Sequence, residues 1–177
     1  RLLYAGRLSW EKGAADLPAM AERLPNGRLI VAGDGPLREE LVLAAQRLGN
    51  FEAVGPLDRP ALDRLYARAA AVVVPSRCWE VSPQTMLEAM WAGRAVLVPD
   101  HGPFEQWVTD GQTGRTFRPG DVDHLATVAG EMLADPAATA VQGQAGRALV
   151  RRRHDPEAFV AALVGLYRGA IERCASR

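Results

Sequence analysis

The sequence predicts an α/β fold, a doubly wound parallel sheet of about six strands, and three observations carry that prediction. Short β-rich runs alternate with longer helical patterns along the chain. One run, Ala71-Val72-Val73-Val74, is almost continuously apolar, as a strand covered on both faces must be. Turns rich in glycine and proline follow the runs, over residues 6–13, 33–36, 55–58, 75–82 and 99–103.

Taken in order, Leu2-Leu3-Tyr4-Ala5 is the first strand, with a helix expected over residues 11–24. Arg28-Leu29-Ile30-Val31-Ala32 is the second strand, followed by a helix over 36–48. Phe51-Glu52-Ala53-Val54 is a short third strand, with a helix around 61–69. After the apolar fourth strand, Ser82 is the expected N-cap and Pro83 the first residue of a helix over 83–92, which Gly93 ends. Ala95-Val96-Leu97-Val98 is the fifth strand and Arg115-Thr116-Phe117 the sixth. Helices are expected over 122–134, 136–152 and 156–173, the last with a 3–4 spaced stripe of Phe159, Leu163, Leu166 and Tyr167. Strand–helix alternation implies right-handed crossovers, and in such sheets a ligand sits beyond the carboxyl ends of the strands.

The chain's 177 residues suffice for one sizeable domain and are too few for two ordinary ones. A chain this long buries about 70% of its unfolded surface, so it needs no disulfide staples. Cys78 and Cys174 lie far apart and read as reduced thiols, as in a cytoplasmic protein. A formal net charge of zero gives no support to a nucleic-acid partner. No apolar run approaches the ~18 residues of a membrane span, and no signal peptide is visible. The chain begins without methionine, directly in a strand-like run, so it is expected to be part of something longer.

Commoner ligand motifs fail. Gly33-Asp34-Gly35-Pro36-Leu37-Arg38 begins like a dinucleotide fingerprint, but Arg38 stands where the third glycine belongs. No P-loop sequence occurs. Asp121-Val122-Asp123 opens a helix, so Asp121 is expected to be an N-cap. His101, His124 and His154 lack metal-ligand spacing, and no metal site is expected.

Two motifs remain, both on loops at the expected ligand edge. Gly6-Arg7-Leu8-Ser9-Trp10-Glu11-Lys12-Gly13 sets two cations on a glycine-flanked turn. A departing nucleoside diphosphate gains negative charge as its bond to a sugar breaks, and fixed cations there stabilise the transition state most. Arg7 can fork onto two phosphate oxygens, while Lys12 supplies a point charge. The second motif, Cys78 to Gly93, carries Glu80 just ahead of a helix and Glu88 in its second turn. A carboxylate accepts from sugar or ribose hydroxyls, and the helix N-terminus between the two offers N–H groups to an anion. Singly, each residue reads equally well as a solvated loop or helix residue.

Together these motifs resemble the C-terminal, donor-binding half of the retaining GT-B glycosyltransferases of family 4. The resemblance implies a Rossmann-like domain over residues 1–177, a single nucleotide-sugar-binding unit whose C-terminal helix, about 156–173, returns to an N-terminal acceptor domain outside this chain. It assigns Arg7 and Lys12 to the donor diphosphate, Glu80 to the transferred sugar and Glu88 to the ribose. Catalytic roles fall on Arg7, Lys12 and Glu80. Donor contacts fall also on Gly6, on Gly33 and Gly35 of the Gly-Asp-Gly-Pro turn, on Leu57 of Gly55-Pro56-Leu57-Asp58, and on Val81 and Ser82. Gly111-Gln112-Thr113-Gly114 and Pro119-Gly120-Asp121 match the family's downstream turns, and Glu105 its Gly-x-x-Glu segment, read here as structural.

Val81-Ser82-Pro83 departs from the Gly or Ser, then Phe, that often follows the first glutamate; backbone N–H groups at Val81 and Ser82 can still serve the donor, whereas Pro83 has none. The implied donor is a UDP-, GDP- or ADP-sugar, with no covalent cofactor and no metal in this half. The implied acceptor is a hydroxyl of a glycan, lipid-linked or small molecule. The implied location is the cytoplasm, extending to the inner face of a membrane reached through the acceptor. The isolated chain is expected to bind donor without transferring sugar.

Three other readings stay open: a nucleotide-sugar-binding module without chemistry, a GT-B-fold epimerase or phosphorylase, and a doubly wound domain for another ligand. Of the remaining features, Trp91 is expected in the core beside Leu87, Trp10 either shields the phosphate site or packs, and Arg151-Arg152-Arg153 is either a solvated helix end or a contact for anionic lipid.

Overall fold

The computed structural model describes residues 1–24, 26–80 and 82–175. Six strands form one parallel sheet: β1 (Leu2–Ala5), β2 (Leu29–Ala32), β3 (Phe51–Gly55), β4 (Ala71–Val73), β5 (Ala95–Pro99) and β6 (Arg115–Phe117), in the order β3-β2-β1-β4-β5-β6. The helices are α1 (Leu17–Glu22), α2 (Arg38–Arg47), α3 (Arg59–Arg68), α4 (Gln84–Trp91), α5 (Val122–Ala134), α6 (Pro136–Arg153) and α7 (Pro156–Ala175).

The two faces of the sheet follow the period-2 alternation of the strands. Leu2, Tyr4, Leu29, Val31, Val73 and Leu97 face one core, with Leu17 and Met20 of α1, Leu41 of α2, and Leu125 and Val128 of α5. Leu3, Ala5, Ile30, Val72, Val96 and Val98 face the other, with Tyr66 of α3, Met86, Ala89 and Met90 of α4, and Val150 of α6. Both faces are thus covered, which explains why the strands read as nearly unbroken apolar runs. The chain leaves β1 toward β2 on one side and returns to β4 on the other, so the loops after β1 and β4 diverge and leave a crevice at this switch point.

Four details depart from expectation. The first helix does not span residues 11–24: a 3-10 turn occupies Ala14–Asp16 and α1 begins only at Leu17. Pro18 fits the first turn of a helix, but farther in, its ring would clash with the carbonyl four residues back, so the helix cannot extend upstream. Helix α2 begins at Arg38 because the preceding residues are spent on a turn, in which the Arg38 N–H donates to Gly35 O at 3.0 Å. At α4 the cap is Pro83 rather than Ser82: Pro83, with ψ at 80°, lies outside the helical basin and its carbonyl accepts the first helical bond from Leu87 N at 3.1 Å. Trp91 is not core. The buried face of α4 runs through Met86, Ala89 and Met90, Trp91 stands about a quarter-turn beyond Met90, and its exposed ring lies under the Arg151 guanidinium at 5.7 Å.

Elsewhere the elements match closely. Asp121 caps α5 by accepting from His124 N at 2.8 Å. The 111–114 turn precedes β6 at the sheet edge opposite the crevice, where the Thr113 hydroxyl donates to Trp107 O at 3.0 Å. Cys78 and Cys174 are both free thiols. Arg153 lies over the Trp107 ring at 5.0 Å, so the basic cluster is partly engaged within the chain. On α7, Phe159, Leu163, Leu166 and Tyr167 are all exposed.

Candidate functional site

The crevice is built by three loops locked to one another through backbone. After β1, Leu8 N donates to Asp34 O at 2.8 Å and Leu37 N to Leu8 O at 2.9 Å, so the 6–13 loop and the 33–37 turn form one unit. Gly33 makes that contact possible: a Cβ there would lie 1.8 Å from the Gly6 carbonyl oxygen, at a φ of +145°. Gly13 does the same on the other side, at a φ of +71°, where a Cβ would lie 1.9 Å from Pro75 O after β4. The Tyr4 hydroxyl donates to Arg7 O at 2.6 Å. Burial, and then the charge of Glu80, push the Tyr4 phenol pKa upward, so this donor stays protonated.

Arg77 ties the β1 and β4 loops together. Its N–H donates to Glu11 O at 2.9 Å, its guanidinium Nη2 donates to both Asp16 carboxylate oxygens at 2.6 and 2.8 Å, and it covers the Trp10 ring at 4.6 Å. Trp10 therefore packs on Arg77, one of the two roles expected for it. Arg77→Met is expected to lower stability by about 1–3 kcal/mol, read from a urea midpoint, since it leaves the mostly buried Asp16 carboxylate without this partner. An unchanged midpoint would remove Arg77 from the framework of the loop.

Two adjoining hollows open at the carboxyl edge. The first, of about 270 Å³, is lined by Tyr4, Lys12, Glu80, Ser82, Pro83 and Gln84 among others. The second, of about 290 Å³, is lined by Gly33, Asp34, Pro56, Leu57, Tyr66 and Glu88 among others. Ala5, Gly6, Arg7 and Thr85 border both. Of the residues expected here, Gly6 and Arg7 thus stand at the junction, Lys12, Glu80 and Ser82 in the first hollow, and Gly33, Leu57 and Glu88 in the second. Gly35 lines neither; it packs beneath, where a Cβ would come within 2.5 Å of Leu8 O. Val81 lies outside the described residues.

Each carboxylate has a partner. Lys12 Nζ pairs with Glu80 Oε1 at 2.8 Å, with the Glu80 side chain only 13% exposed. Glu88 Oε1 accepts from Arg59 Nη1 at 2.8 Å and Oε2 from the Tyr66 hydroxyl at 3.2 Å. Arg7, exposed, makes no ion pair among the described residues. Helix α4 points its first turn at the first hollow with no side-chain cap and no acidic residue there, which leaves the positive end of its dipole open to an anion.

Sequence reasoning missed Arg59, Tyr66 and Thr85. Tyr66 looks like one apolar residue of a helix, and only the fold reveals that its hydroxyl meets Glu88. Thr85 lies within the second motif, between its two glutamates, and its hydroxyl holds α4 to β1 by donating to Ala5 O at 3.0 Å. Among the described residues no group of three or more His, Cys, Asp or Glu side chains is arranged to hold a metal. Among the same residues no helix is long and apolar enough to cross a membrane.

The doubly wound sheet, with cations and carboxylates around a crevice at its switch point, defines a Rossmann-like domain of the GT-B kind. The chain belongs to the family Glycosyl transferases group 1, which it matches over residues 1–149. It is 34% identical over 176 residues to the glycogen synthase of Mycobacterium tuberculosis, covering 96% of this chain and 42% of that protein. It is 32% identical over 154 residues to the sulfoquinovosyl transferase SQD2 of Arabidopsis thaliana, covering 82% of this chain and 29% of that protein. Among solved structures, the sucrose-phosphate synthase of Thermosynechococcus elongatus superposes with a TM-score of 0.85 at 30% identity, covering 97% of this chain and 45% of that one. The chain therefore spans less than half the length of these relatives.

Proposed function

We propose that this chain is the donor-binding half of a retaining glycosyltransferase of family 4, which moves a sugar from a nucleoside diphosphate sugar to an acceptor hydroxyl. One observation carries the reading: two hollows, each with a carboxylate, meet at a junction bordered by Arg7. A nucleotide sugar has the same plan, with hydroxyl-bearing rings on both sides of a diphosphate. The nucleoside occupies the second hollow, its ribose against Glu88 and its base near Leu57. The diphosphate lies over Gly6, Arg7 and the first turn of α4, and the sugar enters the first hollow beside Glu80.

As the bond from the anomeric carbon to the diphosphate oxygen breaks, charge collects on the leaving group. Arg7, Lys12 and the N–H groups of α4 stabilise it there. The donor is a UDP-, GDP- or ADP-sugar held without a metal from this domain. The acceptor, a glycan, lipid-linked or small-molecule hydroxyl, is bound by an N-terminal domain of the same parent chain. The exposed stripe of α7 supports a surface for that domain, and the isolated chain then binds donor without turnover. We place the parent enzyme in the cytoplasm, reaching the inner membrane face where its acceptor is lipid-linked.

Glu80→Gln tests the assignment of the hollows. It removes the carboxylate's charge and one of its two acceptor oxygens, and releases Lys12 from its ion pair. The preference for nucleotide sugar over bare nucleoside diphosphate is expected to fall about 3- to 10-fold by calorimetry, with affinity for the bare diphosphate held or increased. Equal weakening of both ligands would place Glu80 outside the sugar's reach.

A further inference from the structure

We infer that Tyr66 is a positioning residue that, together with Arg59, presets the Glu88 carboxylate to read the ribose 2′-hydroxyl, so that the site selects ribonucleoside over 2′-deoxyribonucleoside diphosphates. This rests on the donor-site reading above and extends it to residues outside its motifs. A glutamate in the second turn of a helix has three rotatable bonds, and holding it still costs rotamer freedom. Here that freedom is removed before any ligand arrives, because each carboxylate oxygen is held from a different helix position. Arg59, first residue of α3, takes Oε1 at 2.8 Å, and Tyr66, two turns along, offers its hydroxyl to Oε2 at 3.2 Å.

Tyr66 is the firmer holder. Tyr66 is 1% exposed, its ring packed in the core shared with Met86, Ala89 and Met90 of α4, and only its tip reaches the second hollow. Burial first, and the Glu88 charge second, raise the phenol pKa, so it donates throughout the physiological range. Arg59 is braced in turn by Asp63 at 2.9 Å, and Asp58 fixes the start of α3 by accepting from Ala61 N at 2.8 Å. A carboxylate has about four acceptor positions, so after these two bonds each oxygen keeps one for a ligand hydroxyl. Both remaining positions belong to a carboxylate that lines the second hollow. A ribose loses one of those bonds when its 2′-hydroxyl is removed.

The test compares each of UDP, GDP and ADP with its 2′-deoxy counterpart by calorimetry, on the unaltered chain and on Tyr66→Phe. The phenylalanine keeps the packed ring and removes only the hydroxyl. The ribo-over-deoxy affinity ratio is expected to fall about 3- to 10-fold in Tyr66→Phe, with affinity for the 2′-deoxy ligand changed less than about 2-fold. Arg59→Gln, at an exposed position where folding is not at stake, is expected to move the same ratio in the same direction. A purely structural role would weaken both ligands together and leave the ratio unmoved, which would overturn the inference while leaving the donor site standing. Absence of nucleotide binding by the unaltered chain would overturn the donor site, and the inference with it.

Discussion

Lys12→Ala is expected to bind nucleoside diphosphate about 10- to 100-fold more weakly than the unaltered chain, the loss of a charge-assisted contact worth about 1.5–3 kcal/mol. Two effects add. The lysine's own attraction for the diphosphate is lost, and Glu80, which pairs with Lys12 at 2.8 Å and is only 13% exposed, is left as an uncompensated negative charge facing an anionic ligand. The double substitution Lys12→Ala, Glu80→Gln should therefore recover part of the affinity, a sign that a simple surface lysine would not give. The Lys12–Glu80 pair is about as buried as the Arg77–Asp16 pair, so Lys12→Ala is also expected to lower stability by about 1–3 kcal/mol, and calorimetric titration well below the unfolding transition separates binding from folding. Unchanged affinity would remove Lys12 from the site.

Gly33→Ala is expected to destabilise the domain by on the order of 3 kcal/mol and to weaken nucleotide binding at the same time. The added methyl carbon would fall 1.8 Å from Gly6 O, and the backbone conformation, with φ at +145°, already disfavours any side chain. Backbone on both sides must move apart. Gly6 borders both hollows, so the displacement reaches the surface on which the diphosphate rests. A urea titration measures the first effect and a nucleotide titration at low temperature the second. An alanine variant as stable as the parent would mean that the 6–13 and 33–37 segments tolerate separation.

The sheet was legible because it is buried on both faces: strands such as Ala71–Val73 and Ala95–Pro99 are apolar throughout, and their positions follow from that alone. The placement of Arg7, Lys12, Glu80 and Glu88 around the crevice was legible because each stands at a short offset from a strand end or a helix start at the carboxyl edge of the sheet. Local geometry was harder. Pro18 does not by itself announce a 3-10 turn upstream, and Pro83 can serve either as a cap or as a first helical residue; the choice rests on ψ, which composition does not set. Trp91 misled because a large aromatic on a helix was read as core, while a position beyond the buried face lets it spread on the surface beneath an arginine. Tyr66 and Arg59 could not be found at all from local pattern. They lie more than twenty positions from Glu88 in sequence, and only the packing of α3 beside α4 brings them to its two oxygens.

The central claim, that the crevice between β1 and β4 binds the nucleoside diphosphate of a sugar donor, is tested most directly by titrating this chain with UDP, GDP, ADP and their hexose conjugates, with Lys12→Ala alongside. The expected result is saturable binding of one nucleotide and its sugar conjugate, weakened about 10- to 100-fold in Lys12→Ala. Absence of binding for every one of them, or binding that Lys12→Ala leaves unchanged, would contradict it.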